Sequence, residues 1–467
     1  MEKQSMLFTR RSISRIILPL VAQNLLAIAI GMADSMMVSN KGEEAFAGVS
    51  LVGSLDAVLI TLFGALSAGG SVVLAQAIGH GDRKRACDGA KQLVYISVMT
   101  ATAIALICIG VRAPLLRLLF GNVEAGVMQN ALAYFTFLTI SFPFLAIEQA
   151  VSATFCAQGE SMISLKISLL MNVINIGGNA ILIYGVNLGA AGAAIATLIS
   201  RIIGATVMVT IAHGKSRYIY LERLFHYRPN GSIIKDILRI GVPNSLENTM
   251  FQFGRLMTSS LVSSLGTVAI AANAAALSLA NVQYNAGAAV QSTMVAVVGR
   301  CVGAQEKEQA KHYTWSLLGV GYALLAVVIG ALCLFAAPLL RLYGLSGETS
   351  ALARQLLLYH GAVSVVIWAA AFCLPNAFRA ANDVKFTMVV SVASRWVLRV
   401  ALGYVIALET VSVFGLFELR GMGMGVMGVW VSATIDWVLR TVLFAWRFLS
   451  GKWLHRFHLE RKKPKTA

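Results

Sequence analysis

The sequence predicts an all-α integral membrane protein with twelve transmembrane helices in two pseudo-symmetric six-helix lobes. Three observations support this. The 467 residues are 57% hydrophobic and 13% charged, with a mean hydropathy of +0.74. A soluble chain carries about 25% charged residues, so lipid is the main solvent here. Apolar stretches long enough to cross a bilayer as helices recur at 13–39, 45–75, 91–111, 130–156, 165–185, 189–212, 238–264, 268–298, 314–336, 354–377, 386–408 and 425–449. Finally, residues 15–120 recur, shifted by 224 positions, in 239–344. A long repeat in an apolar chain marks a transporter built from two like halves around a central site.

The repeat falls on structurally costly residues. Arg15-Ile16 answers Arg239-Ile240, Pro19 answers Pro243, Asn24 answers Asn248, Gly79 answers Gly303 and Pro114–Arg117 answers Pro338–Arg341. Further along, Phe155–Glu160 is similar to Phe378–Asp383, and Gly189–Gly192 to Gly425–Gly428, with an extra loop at 409–424 absorbing the change of register. The longest polar interruption, 213–236, is basic and lies between the repeats. The expected division is therefore an N-lobe at 1–212, a cytoplasmic linker at 213–236, a C-lobe at 237–450 and a basic cytoplasmic tail at 451–467.

A net charge of +17 raises the question of nucleic acid. Its placement excludes it: with the N-terminus inside, most of the 38 Lys and Arg fall on inward segments, among them Arg83-Lys84-Arg85 and the tail residues Arg461–Lys463. This is the positive-inside rule, and it puts both termini in the cytoplasm. The six cysteines stand singly, with no CxxC, which argues against a disulfide framework or a zinc site. The glycines at 189–192 and 421–428 follow no strand and precede no Lys-Ser/Thr, so close helix packing is their expected role.

Ionisable residues inside a span need a reason, because a charge at a helix centre costs about 2.5–3.5 kcal/mol on insertion scales. Asp34 lies two-thirds along the first span, where the repeat has neutral Thr258. Asn175 and Asn179, four apart, share one face of the fifth. Glu247 follows Pro243 in the seventh span, where the other half has Gln23. It either binds an ion or substrate, or joins an intramembrane network with Arg255, Arg395 and Arg399. Arg399 occupies the repeat position of Asn175. Asp56 and Glu148 have Arg201 as a candidate partner, and Asp436 and Arg440, at i and i+4, are expected to neutralise each other. His360 reads as an interfacial histidine. Pro19 and Pro243 each free a backbone carbonyl and permit a bend.

In order along the chain, these segments resemble the multidrug and toxic compound extrusion (MATE) family of cation-coupled antiporters. The first span carries Pro19 fifteen residues before Asp34. Gly79–Ala86 resembles the family's G-x-G-[DN]-x-x-x-A loop, Asn172–Asn179 its Asn-rich fifth helix, and GAAGAAIAT at 189–197 the start of its sixth. The loop at 79–85 is also similar to one in the major facilitator superfamily, which has no place for the other two segments. The MATE resemblance implies that Asp34, Asn175, Asn179 and Thr197 line an N-lobe cavity. It implies that Asp34 is protonated or binds a cation there, and that Pro19 is a hinge. It carries Glu247 over more loosely.

The implied function is export of amphipathic organic compounds by alternating access. H+ or Na+ is the coupling ion, with Asp34 or Glu247 as the place for Na+. No enzymatic activity, cofactor or resident metal is expected. The expected partners are small-molecule substrates and the lipid bilayer, for a monomer in the plasma membrane. The rival readings are a flippase for lipid-linked precursors, whose C-lobe arginines would grip phosphate, and an intramembrane enzyme using His360 or Glu148.

Overall fold

The computed structural model describes residues 6–121, 123–222, 228–341, 345–413 and 417–454. Residues 223–227 of the expected linker and the tail residues Arg461–Lys463 lie outside the described residues. The helices are α1 (Arg10–Ser39), α2 (Glu43–Gly79), α3 (Arg83–Gly110), α4 (Arg112–Phe120), α5 (Ala125–Ile140), α6 (Phe142–Gln158), α7 (Ser161–Asn179) and α8 (Gly189–Ala212). They continue as α9 (Gly231–Ser263), α10 (Thr267–Gly303), α11 (Lys307–Leu334), α12 (Ala336–Arg341), α13 (Gly347–Phe372), α14 (Leu374–Ala380), α15 (Val384–Ser394), α16 (Leu402–Ala407) and α17 (Gly425–Leu449). A π-helical segment, Ala180–Gly185, continues α7, and a second, Arg395–Ala401, joins α15 to α16.

Among the described residues, nine helical passes are long and apolar enough to cross a membrane, and the bent pair α5–α6 makes a tenth. Helices α1 and α9, of 30 and 33 residues, complete the twelve by length. Both are diluted by polar residues, and they are the helices that carry Asp34 and Glu247. Each remains helical on both sides of its proline, Pro19 or Pro243. The ring removes one amide donor and leaves the carbonyl four residues earlier without it.

Two passes differ from the uninterrupted spans expected at 130–156 and 354–377. The first breaks at Ser141, where α5 and α6 meet at 47° and Pro143 opens α6. The second breaks at Cys373, with Pro375 in the first turn of α14. In both, proline sits where a helix start tolerates it. The loop expected at 409–424 contains an antiparallel hairpin of β1 (Thr410–Val413) and β2 (Phe417–Arg420), in register Thr410 to Arg420.

The repeat extends to backbone conformation. Left-handed φ occurs in mates: Gly42 (113°) and Gly266 (94°), Gly81 (77°) and Gln305 (63°), Gly159 (80°) and Asn382 (65°), Asn187 (61°) and Gly423 (65°), Gly189 (54°) and Gly425 (58°). Gly159 and Asn382 end their helices in the same way: the next amide, of Glu160 or Asp383, donates back to Phe155 or Phe378 at 2.8 and 2.9 Å. That is a Schellman closure. Small residues also pack alike. A Cβ on Gly192 would meet the Leu182 carbonyl at 3.1 Å, and one on Gly428 would meet that of Ile406 at 2.9 Å. Helices in lipid associate through such close approaches.

The chain forms two compact units. One comprises Thr9–Leu74 and Asp82–Thr249, and the other Met1–Phe8, Ala75–Gly81 and Met250–Ala467. The described residues of the expected linker at 213–236 lie inside the first. In that unit, a Cβ on Gly69 of α2 would meet the Gly241 backbone of α9 at 2.6 Å, and Asn244 Nδ2 donates to the Ala65 carbonyl at 3.0 Å. In the second, Gln76 of α2 donates to the carbonyl of Ala380 at 2.7 Å. Each unit thus takes a helix end from the other repeat.

Candidate functional site

In the first unit, α1 packs against α7, which in turn packs against α8. This brings together the four residues Asp34, Asn175, Asn179 and Thr197. Asn179 Nδ2 donates to Asp34 Oδ1 at 2.6 Å. Asn175 fits best with its amide nitrogen toward Asp34, donating at 2.8 Å to Oδ1 and 3.3 Å to Oδ2. Its oxygen then accepts from Thr197 Oγ1 at 3.1 Å. The two asparagines are buried, Asn179 completely. Asn179 is also the last residue before the π-helical segment, a helix irregularity frequent at functional sites. Its Oδ1 is buried without a hydrogen-bond partner. The cluster therefore presents a carboxylate and an unused carbonyl oxygen, both hard oxygen ligands suited to a proton or an alkali cation.

Nearby acids divide by partner. Asp56 Oδ2 accepts from Arg201 Nη2 at 3.3 Å, and Arg201 Nη1 donates to Ser141 Oγ at 2.7 Å. Glu148 forms no ion pair among the described residues. Of the two acids considered for Arg201, Asp56 is the one it holds. Glu247 is partly buried on the part of α9 that belongs to this unit. Arg255, Arg395 and Arg399 all belong to the other.

In the second unit, the π-helical segment Arg395–Ala401 carries Arg395 and Arg399. Arg395 is 2% exposed, and its guanidinium lies 3.5 Å from the centroid of the Phe251 ring, a cation–π stack. Gly254 makes room for it, since a Cβ there would meet Arg395 Cδ at 2.8 Å. Asp436 is completely buried and bound to Arg440 Nε at 2.8 Å, as the i, i+4 spacing predicted. Arg440 also donates to Ser394 Oγ at 3.0 Å and to the Ser391 carbonyl at 2.7 Å.

His360 departs from its expected interfacial place. It is 4% exposed, with Nε2 at 3.1 Å from Gln283 Oε1 and 3.2 Å from Ser364 Oγ. The rings of Tyr284, Trp430 and Trp437 stand edge-on around it. Gln283 and Tyr284 were not singled out in the sequence. Their signal was there: two polar side chains in an Ala-rich apolar span.

The duplicated helical passes are those of a multi-pass membrane protein, and the family match makes it a transporter with small-molecule substrates. The MatE family model matches residues 19–181 and again 243–405, two copies 224 residues apart. The chain belongs to the MatE family, whose members are transporters and not enzymes. It is similar to a probable multidrug resistance protein NorM of Thermotoga maritima, 25% identical over 98% of this chain and 96% of that one. It is also similar to the uncharacterized transporter YisQ of Bacillus subtilis, 23% identical over 94% of each. Its fold matches that of a multidrug resistance MATE family transporter of the MOP superfamily solved in an outward-facing conformation. The TM-score is 0.85 at 19% identity, covering 96% of both chains.

Proposed function

We propose that this chain is a cation-coupled antiporter that exports amphipathic organic compounds by alternating access, driven by H+ or Na+. It would work in the plasma membrane as a monomer with both termini in the cytoplasm. The multidrug function named for the NorM relative supports efflux. The observation that carries the coupling is Asp34, held by two asparagine amides and placed beside the unused Oδ1 of Asn179.

A carboxylate supplied with amide donors keeps a negative charge without a basic partner. A proton or Na+ arriving there cancels that charge, which changes the relative stability of two conformations by the difference in its affinity for each. Pro19 on the same helix and Pro243 on its repeat mate are the proposed hinges. Glu247 is a second place for the cation.

The test is efflux of a dye from proteoliposomes under separately imposed proton and sodium gradients, with wild type and Asp34→Asn. The variant is expected to fold and to lose gradient-driven efflux, because the amide oxygen can still accept the two hydrogen bonds made to Oδ1 but the group cannot carry the charge. Efflux at the wild-type rate in Asp34→Asn would overturn the assignment.

A further inference from the structure

The second unit holds more buried positive charge than its own carboxylates neutralise. The guanidinium groups of Arg255, Arg395, Arg399 and Arg440 stand in one another's field with a single carboxylate, Asp436. Arg255 is exposed, so the buried or partly buried cations are Arg395, Arg399 and Arg440, and three cations less one anion leave two positive charges. Asp436 is committed to Arg440 at 2.8 Å.

The unused hydrogen-bonding atoms point the same way. Arg395 Nε and Nη2, Arg399 Nε, Gln283 Nε2 and Trp437 Nε1 are all buried donors without a partner. Against these five donors, the Asp436 side chain adds one orphan acceptor, Oδ2. Buried polar groups are normally satisfied, and an uncompensated buried charge is costlier still. A wall that is short of acceptors and of negative charge is complementary to an anion with several oxygens. The Tyr284 hydroxyl lies in the field of Arg255, Arg395 and Arg399. Tyr284 stacks on Trp368 at 5.9 Å, so apolar ring surface adjoins the charge. The two arginines four residues apart sit in a π-helical segment, where that spacing keeps them close to one face.

We propose that Arg395 and Arg399, with Arg255, bind the phosphate, sulfonate or carboxylate group of an amphipathic organic anion whose apolar body lies on the Tyr284–Trp368 stack. This rests on the transporter reading above and names the substrate class of its second unit. The same chemistry is offered by a soluble organic anion and by an anionic lipid headgroup.

The experiment is equilibrium binding to full-length protein in nanodiscs with no gradient, read by quenching of tryptophan fluorescence. The probes are anilinonaphthalene sulfonate and a cationic dye of similar ring size. In phosphatidylcholine discs, Arg399→Gln and Arg395→Gln are expected to weaken binding of the anionic probe by about tenfold or more each, the scale of one lost charge-assisted contact. Arg395→Lys, which keeps the charge, is expected to retain most of it and guards against a folding defect in Arg395→Gln. The cationic dye is expected to bind more weakly than the anion to wild type and to gain affinity in Arg399→Gln.

Discs containing phosphatidylglycerol separate the sources. Competition against the probe that is lost in Arg399→Gln assigns the site to a headgroup, and no competition assigns it to a soluble anion. Anion binding equal in wild type and both glutamine variants overturns the proposal. Because no gradient is applied, that outcome leaves the coupling role of Asp34 to its own efflux test.

Discussion

Gly79 of α2 and Gly303 of α10 are repeat mates, and each is pressed against the other's helix. A Cβ on Gly79 would run into the carbonyl of Arg300, and a Cβ on Gly303 into that of Gln76, three residues before its mate in each case. The crossing is therefore symmetric about the two glycines, and backbone touches backbone.

Backbone cannot turn away as a side chain can. Gly79→Ala and Gly303→Ala are each expected to lower stability by about 1–3 kcal/mol, the usual cost of forced overpacking. The double variant should cost less than the sum, since one separation of the helices relieves both clashes. Thermal unfolding of the purified protein in detergent measures all three.

The Asp34 cluster predicts an order of effects. Asn179→Leu removes the 2.6 Å donor to Asp34 and the unused oxygen together, and is expected to cut efflux more than Thr197→Val. A hydrogen bond to a charged group contributes about 1.5–3 kcal/mol, so the Asn179 change corresponds to a loss of roughly tenfold or more in coupling. Thr197 acts only through Asn175. Dye efflux at matched protein density ranks the two, and a larger loss in Thr197→Val would contradict the arrangement.

The buried pair of Asp436 and Arg440 tests the difference between breaking and replacing an ion pair. Asp436→Asn leaves Arg440 uncompensated in an already positive surrounding, and the expected loss is about 3–5 kcal/mol. Replacing both partners with apolar residues of similar size removes the charge and the desolvation cost together. That double variant should melt above the single one in the same detergent.

A comparison of repeat mates separates exposed from buried pairing. Glu160 pairs with Arg217, and its mate Asp383 with Arg447 at 2.8 Å. The first pair is solvent-accessible, whereas the Asp383 side chain is 0% exposed. Arg217→Ala is expected to cost about 0–1 kcal/mol and Arg447→Ala about 3–5 kcal/mol. Melting temperatures of the two variants decide it.

Much of this was legible in the sequence because one observation, the repeat, constrained the rest. Proline, asparagine and glycine mates fixed the number of passes and their pairing, and Asp34 stood out as a carboxylate whose mate is Thr258. The i, i+4 spacing of Asp436 and Arg440 gave their contact directly. What was not legible depended on contacts between distant segments. The bend at Ser141 looked like uninterrupted apolar sequence. The π-helical segment at Arg395–Ala401 has no composition of its own. His360 was misplaced because its partner Gln283 is 77 residues away, and linear proximity to a span end said nothing of that contact.

The hairpin of β1 and β2 marks where the two halves differ in length. Left-handed mates are 223 apart at Gly159 and Asn382, and 236 apart at Gly189 and Gly425, so 236 − 223 leaves thirteen residues that the first half lacks. The first half closes the same helix pair without them. The hairpin is therefore a ready port for engineering: an epitope grafted between its strands should leave the helical scaffold intact. Antibody access to that epitope in unbroken cells would report which side of the membrane it faces, and with it the sidedness of the whole chain.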